Sequence, residues 1–299
     1  EEMRKRLNAF EVDGIEDSGM IEYLTRKKKE GRFPVYQTTE RPDRAAQAIL
    51  EGRVVLLTDN SPEALIFPAT LNSLFQTADD YYRNERIVTF LRLIRYVAAF
   101  LALALPGLYV AAATFHPQLL PGNLIRSMAE ARSGVPFPTA AEVLLMELSF
   151  ELLREAGLRM PGPAGNTIGI VGGLIVGQAA VSANLVSPIT VTVAALTALG
   201  SFSIPNEELS EVFRLWKYGI LLLGSCFGIL GVMLGCFLLL MLMAEQESYG
   251  IPWLYPYVGG NLNERADEKD SMFLAAARKR KSRPIFAKWG NRIRFRRKS

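Results

Sequence analysis

Histidine and cysteine are almost missing from this chain. One histidine, His116, and two cysteines, Cys226 and Cys236, occur among 299 residues. A zinc site has no ligand set to be built from, and one imidazole is too few for most acid–base schemes. Ten residues of helix hold the two cysteine backbones about 15 Å apart, beyond disulfide reach, so both read as packing residues. Neither H-E-x-x-H nor G-x-S-x-G is present, so nothing assembles a hydrolase; the chain is read as a non-enzyme with no cofactor. The sequence has no internal repeat. It starts on Glu1 with nothing like a signal peptide, and is expected to be a fragment without its upstream part.

Charge is also missing, but only in places. Residues 96–115, 160–206 and 218–244 carry no Asp, Glu, Lys or Arg, although 21% of the chain is charged. Mean hydropathy is positive at +0.15. A helix needs about 20 apolar residues to cross the hydrocarbon core, so each run is long enough and the middle one is long enough for two passes. The fold class this predicts is an α-helical multipass membrane protein with a small mixed α/β cytosolic N-terminal domain and a basic tail. The boundaries are a cytosolic domain at 1–88, a membrane domain at 89–258 and a tail at 259–299.

Within 1–88, EDSGMIEYLTRKKK and RPDRAAQAILEG are amphipathic helices, and RVVLLTDNSPEALIFPAT is two strands about a turn. LNSLFQTADDYYR returns to helix. Spans are expected near 96–115, 167–183, 188–204 and 218–243, with an amphipathic or re-entrant segment at 139–157. Pro106 should kink the first span, and Pro188 opens the second arm of a helical hairpin. The last span enters through Trp216, Lys217 and Tyr218 as interfacial anchors. SYGIPWLYPYVGG suits the same interface. Arg92, Arg95 and the basic tail place both ends in the cytosol, which requires an even number of crossings. Four spans meet that; a full crossing by 139–157 would make five, so that segment or one hairpin arm is re-entrant or interfacial. The tail is expected to be disordered, in contact with solvent or anionic lipid, and not a nucleic-acid binder.

Gly172 and Gly177 have the spacing of a phosphate loop, but Gln178 and Ala179 stand where Lys and Ser/Thr are needed. Gly165, Gly169, Gly173 and Gly177 recur every four residues instead, and Gly224, Gly228, Gly231 and Gly235 form a similar strip. Such strips let helix backbones approach in lipid, within one chain or between subunits. In 139–157, Glu147, Glu151 and Glu155 make an i, i+4, i+8 row with Arg154 beside it, and Glu142 nearly opposite. The row is either the wet edge of an interfacial helix or a candidate ion path, which a symmetric homo-oligomer would turn into carboxylate rings.

GVPFPTAAEVLLMELSFELLREAGLRMPGP, followed by IGIVGGLIVGQAAVSANLVSPITVTVAALTALGSFSIPN, resembles the GerA family of spore germination proteins. FEVDGIEDSGMIE, TERPDRAAQAILEGRVVLLTDNSPEALIFPAT, DDYYR and SYGIPWLYPY support the likeness. It implies the A subunit of a nutrient germinant receptor in the inner membrane of the spore. Such a subunit acts with a transporter-like B subunit and a lipoprotein C subunit, and oligomerises into a nutrient-gated cation channel. A related branch associated with the spore dipicolinate channel has the same architecture. A secondary transporter and a non-conducting scaffold are the rival classes. The basic tail departs from the family pattern.

Overall fold

The computed structural model describes residues 2–27, 30–160, 163–258, 270–276, 280 and 283–287, with backbone alone for 163–171. Two compact units emerge, one from Glu1–Tyr96, Pro205–Val212 and Leu240–Ser299, the other from Val97–Ile204 and Phe213–Leu239.

The first unit is built on three antiparallel strands, β1 (Gln37–Thr39), β2 (Val54–Leu57) and β3 (Ala64–Phe67), in the order β1-β3-β2. The ALIF run of β3 is buried along its whole length, as a short continuous apolar run should be in a sheet centre. Four helices surround it: α1 (Glu2–Leu7), α2 (Ser18–Thr25), α3 (Pro42–Leu50) and α4 (Leu71–Leu74). Asp17 caps α2 by accepting from the Gly19 amide, and Pro42 sits in the first turn of α3, where its missing N–H costs nothing. Met3, Ile21, Val35, Tyr36, Leu65 and Phe67 form the core. The two strands and the helices near 18–25 and 42–50 follow the sequence pattern. Strand β1 and helix α1 are elements the pattern did not announce.

Two expectations are corrected in this unit. The aromatic–proline segment, expected at a membrane interface, belongs to its core. Trp253 is fully buried, its Nε1 donates to the Pro34 carbonyl at 2.7 Å, and its ring lies 4.9 Å from Phe33. Gln246 and Ser248 donate to the carbonyls of Phe33 and Val35. The rings find apolar partners and the polar groups find backbone, which a headgroup region would not combine. The described tail residues are likewise packed rather than solvated. Leu274 and Ala287 are buried, and the Arg53 guanidinium lies 4.4 Å from the Phe286 ring centroid. The remainder of the tail lies outside the described residues.

Asp80 organises the electrostatics here. Arg92 Nε donates to its carboxylate at 3.0 Å, and Arg95 donates to both of its oxygens at 2.9 Å. Arg92 also reaches Asp270 at 3.0 Å and the Ser271 carbonyl at 2.7 Å. Burial pushes the Asp80 carboxyl up, but the hydrogen bond and charge of Arg95, with Thr77 and Arg92, outweigh it and hold the group below its ordinary value. The two arginines read as topology markers are therefore spent on ion pairs.

The second unit is helical. It holds parts of α5 (Glu85–Thr114), α10 (Glu207–Phe227) and α11 (Ile229–Glu245), and all of α6 (Gly122–Ala131), α7 (Thr139–Leu158), α8 (Pro163–Ser182) and α9 (Pro188–Phe202). Two stretches, Glu85–Thr114 and Glu207–Glu245, are long and apolar enough to cross a membrane, the second divided into two helices at residue 228. Helix α5 runs on through Pro106, and Pro188 opens α9 behind a Ser187 cap.

The single last span expected at 218–243 is instead two helices that double back at Gly228, whose φ is +63°. Added Cβ atoms at Gly224 and Gly235 would lie 2.8 Å from Val232 and 2.9 Å from Ile220. In one straight helix Ile220 and Gly235 would stand about 22 Å apart. Only glycine takes that φ freely, and at Gly231 any side chain would run into the Leu223 carbonyl. The direction of every segment follows from such contacts. Glu142 meets Thr190 and Arg154 meets Ser201, so α7 and α9 are parallel. Gly172 meets Leu153 while Ala180 packs in the Met146 cluster, so α8 opposes α7. Lys217 and Arg214 meet Glu147 and Glu151, so α10 also opposes α7. Gly107 packs on Ile220 and Gly228 on His116, so α5 runs with α10. The order α5, α7, α8, α9, α10, α11 therefore alternates in direction throughout.

Candidate functional site

Helix α7 carries the acidic row because its glutamates recur every four residues, but the structure gives each a different environment. Glu142 is fully buried. It accepts from Arg132 Nε at 3.1 Å, the Ser187 amide at 2.9 Å and Thr190 Oγ1 at 3.1 Å. It thereby caps the N-terminus of α9, where a carboxylate is favoured by the helix dipole. Glu147, 2% exposed, pairs through Oε2 with Lys217 Nζ at 2.6 Å. Its Oε1 meets no hydrogen-bond donor among the described residues, and the hydroxyl of Thr197 gives its proton to the Val193 carbonyl at 2.9 Å. Glu151 pairs with Arg214. Glu155 is exposed and pairs with Arg159 on its own helix at 2.6 Å. Arg154 donates to Ser201 Oγ at 2.6 Å and lies 4.1 Å over the Phe202 ring.

The row of like charges is thus faced by bases, two of them from α10. Arg214 and Lys217 are the site residues that sequence reasoning missed. Lys217, expected as an interfacial anchor, is buried. The available signal was complementarity: Arg214 and Lys217 are spaced i, i+3 on α10 and Glu147 and Glu151 i, i+4 on α7, so opposed helices bring both pairs together. Only Glu147–Lys217 is buried; removing one partner of that pair leaves the other charge stranded, which costs about 3–5 kcal/mol.

A cavity of about 1150 Å³ opens among α7, α8, α9 and α10. Glu147, Glu151, Arg154, Ser201, Arg214 and Lys217 are among the residues that line it. Phe150, Leu174, Val181 and Val191 make much of the rest apolar.

Gly173 and Gly177 lie beside this cavity, at Phe150 of α7 and Val191 of α9. For Gly165 and Gly169 only backbone is described. Gly224, Gly231 and Gly235 sit in the α10–α11 seam and Gly228 in its turn. The two strips therefore face different neighbours, the first α7 and α9, the second mostly each other's helix. Among the described residues no three His, Cys, Asp or Glu side chains converge as metal ligands would.

Comparison with known proteins adds a family. Residues 1–286 match the family model described as the Bacillus/Clostridium GerA spore germination protein. Spore germination protein A1 of Bacillus subtilis (strain 168) is 40% identical over 255 residues, covering 85% of this chain and 53% of the relative. Spore germination protein GerQA of Bacillus cereus is 36% identical over 295 residues, 99% of this chain and 58% of the relative. An uncharacterized membrane protein of Bacillus subtilis (strain 168), YfkQ, is 41% identical over 273 residues, 91% of this chain and 52% of the relative. The chain spans about half the length of these curated relatives. No solved structure matches.

Proposed function

The chain belongs to the GerA family of spore germination proteins, and from that premise we propose that it serves as the A subunit of a nutrient germinant receptor. In this reading the helical unit crosses the inner spore membrane. The six alternating segments begin and end at one end of the bundle, which suits six short crossings and the even count that cytosolic ends require. The subunit forms a homo-oligomer, works with transporter-like B and lipoprotein C subunits, and turns nutrient binding into cation release.

The observation that carries the ion-path part is the buried ion pair Glu147–Lys217 with the half-buried pair Glu151–Arg214, both lining a cavity. Ionisable residues set among apolar helices are costly and tend to mark ion pathways. In the closed state each acid is neutralised by a base. A shift of α10 against α7 would free the carboxylates for a passing cation. The test is cation release after nutrient addition to spores carrying the full-length protein. Glu147→Gln and Glu151→Gln should slow release at least about tenfold with receptor levels unchanged, while exposed Glu155→Gln should act like the parent. Normal release from assembled Glu147→Gln and Glu151→Gln receptors would end the ion-path role.

The same neutralisation favours a second reading, a non-conducting scaffold, because paired charges also lock helices together. Reconstituted A subunit that oligomerises but never conducts, even with its partners and nutrient, would select it.

A further inference from the structure

The sheet of the first unit has an edge that no strand covers among the described residues. In the order β1-β3-β2, β3 takes one side of β2 and leaves the other unpaired. An antiparallel partner bonds alternate residues, so about two of the β2 amides point away from β3. Natural edges are commonly guarded by a charge, a proline or a bulge, yet β2 reads Val54, Val55, Leu56, Leu57. Leu56 packs with Leu65 and Phe67 in the α1–α2 core, so Val55 and Leu57 face the opposite side of the sheet. Helix α3 lies on that side: its Arg44 donates to Gln37, which stands across from Ile66 as Val55 does. Leu57 is 78% exposed there, and Ile49 and Leu50 at the end of α3 are exposed too.

The chain brings its own tail to this edge. Residues 283–287 are the last described, and they are seated where β2 begins. Phe286 lies over Arg53, and a Cβ added to Gly52 would meet the Ala287 Cα at 2.5 Å. With 286 on 53 and 287 on 52, the tail leaves β2 backwards. Gly290 and Asn291 then supply a turn dipeptide that can return it. Arg292, Ile293, Arg294, Phe295 and Arg296 follow, in the strict alternation of a half-buried strand. This run lies past the family match, which ends at residue 286. The far end of β2 offers the complementary charge. Asp59 stands in the β2–β3 turn, and the charges that act on nearby Glu63 are all acidic, from Asp17, Glu40 and Glu207.

We propose that residues 292–298 lie along the free edge of β2 as a fourth strand, parallel to it. Main-chain hydrogen bonds hold the strand, as in other edge additions. Ile293 and Phe295 cover Leu57 on the α3 face, and Arg296, Arg297 and Lys298 reach the acids about the β2–β3 turn.

The first unit alone carries this strand, so it and the ion path can fail separately. The test is residue-resolved amide hydrogen exchange on the full chain in a neutral detergent. All four β2 amides should be protected in the parent. Ile293→Pro removes a ladder donor, and should leave β3 protected while the outward β2 amides exchange at least about fivefold faster. Arg296→Glu with Arg297→Glu, which keeps the strand backbone intact, should show the same loss, and it decides if Ile293→Pro also unprotects β3. Two unprotected β2 amides in the parent would overturn the proposal. So would protection that survives both variants, because the edge would then have another partner. Protection that falls on dilution would put the tail on a second copy and overturn it as well.

Discussion

Asp80 is a small carboxylate with two arginines committed to it, and its environment sets a pH dependence. Because its folded pKa is depressed, it stabilises the first unit fully above its unfolded value, about 3.9. That stabilisation is lost as pH falls through the unfolded value towards the folded one. Proteolysis or denaturant melts of the first unit should therefore weaken steeply between about pH 5 and pH 2. Asp80→Asn should cost about 3–5 kcal/mol at neutral pH, by taking the carboxylate from Arg95 and leaving Arg92 with Asp270 alone, and should flatten that acid limb. An unchanged acid limb in the variant would assign the loss to other carboxylates. Neither the depth of this site nor Asp270 as its second acid follows from the sequence, since Asp80 and Asp270 are 190 positions apart and are joined through Arg92.

Among the elements, the paired helices α10 and α11 show where periodicity stops being informative. The stretch 218–244 is apolar throughout, and an apolar run has no face whose rotation would reveal a reversal. Its four glycines were legible as a packing strip; that the strip packs against its own continuation was not. Crosslinking separates the two arrangements. With Cys226 and Cys236 replaced by Ser, Ile220→Cys and Gly235→Cys should form a disulfide on mild oxidation within one chain. A straight helix would hold them about 22 Å apart, far outside the 4.4–6.8 Å Cα separation a disulfide needs. Helix α7 teaches the complementary lesson. Its four-residue spacing puts Glu147, Glu151 and Glu155 along one row of the helix, yet it could not show that Arg214 and Lys217 would come from another helix to meet Glu151 and Glu147.

For the whole molecule, the alternating order of six segments makes a topological prediction. The connections at 115–138, 183–187 and 228 fall at one end of the helical unit, and residues 159–160 and 203–204 at the other. In cysteine-free protein reconstituted into vesicles, Asn123→Cys and Asn184→Cys should react with a membrane-impermeant maleimide from the same side. Arg159→Cys should react from the opposite side. Labelling of Asn123→Cys and Asn184→Cys from opposite sides would mean that α7, α8 and α9 do not all cross.

Composition and local pattern alone determined that apolar helices dominate, that a small α/β unit precedes them, and that the chain resembles the GerA family. These are properties of runs and spacings, which short-range physics writes directly into the order of residues: burial needs apolar runs, turns need Asn60–Ser61–Pro62, caps need Asp17 and Ser187. What only the tertiary structure decided is who meets whom. Trp253 lies in the core of the first unit because Phe33 and the Pro34 carbonyl await it there. Glu147 is half of an ion pair rather than a free carboxylate because α10 runs against α7. Charge and shape complementarity between distant segments is a property of their final placement, and no window along the chain contains both partners.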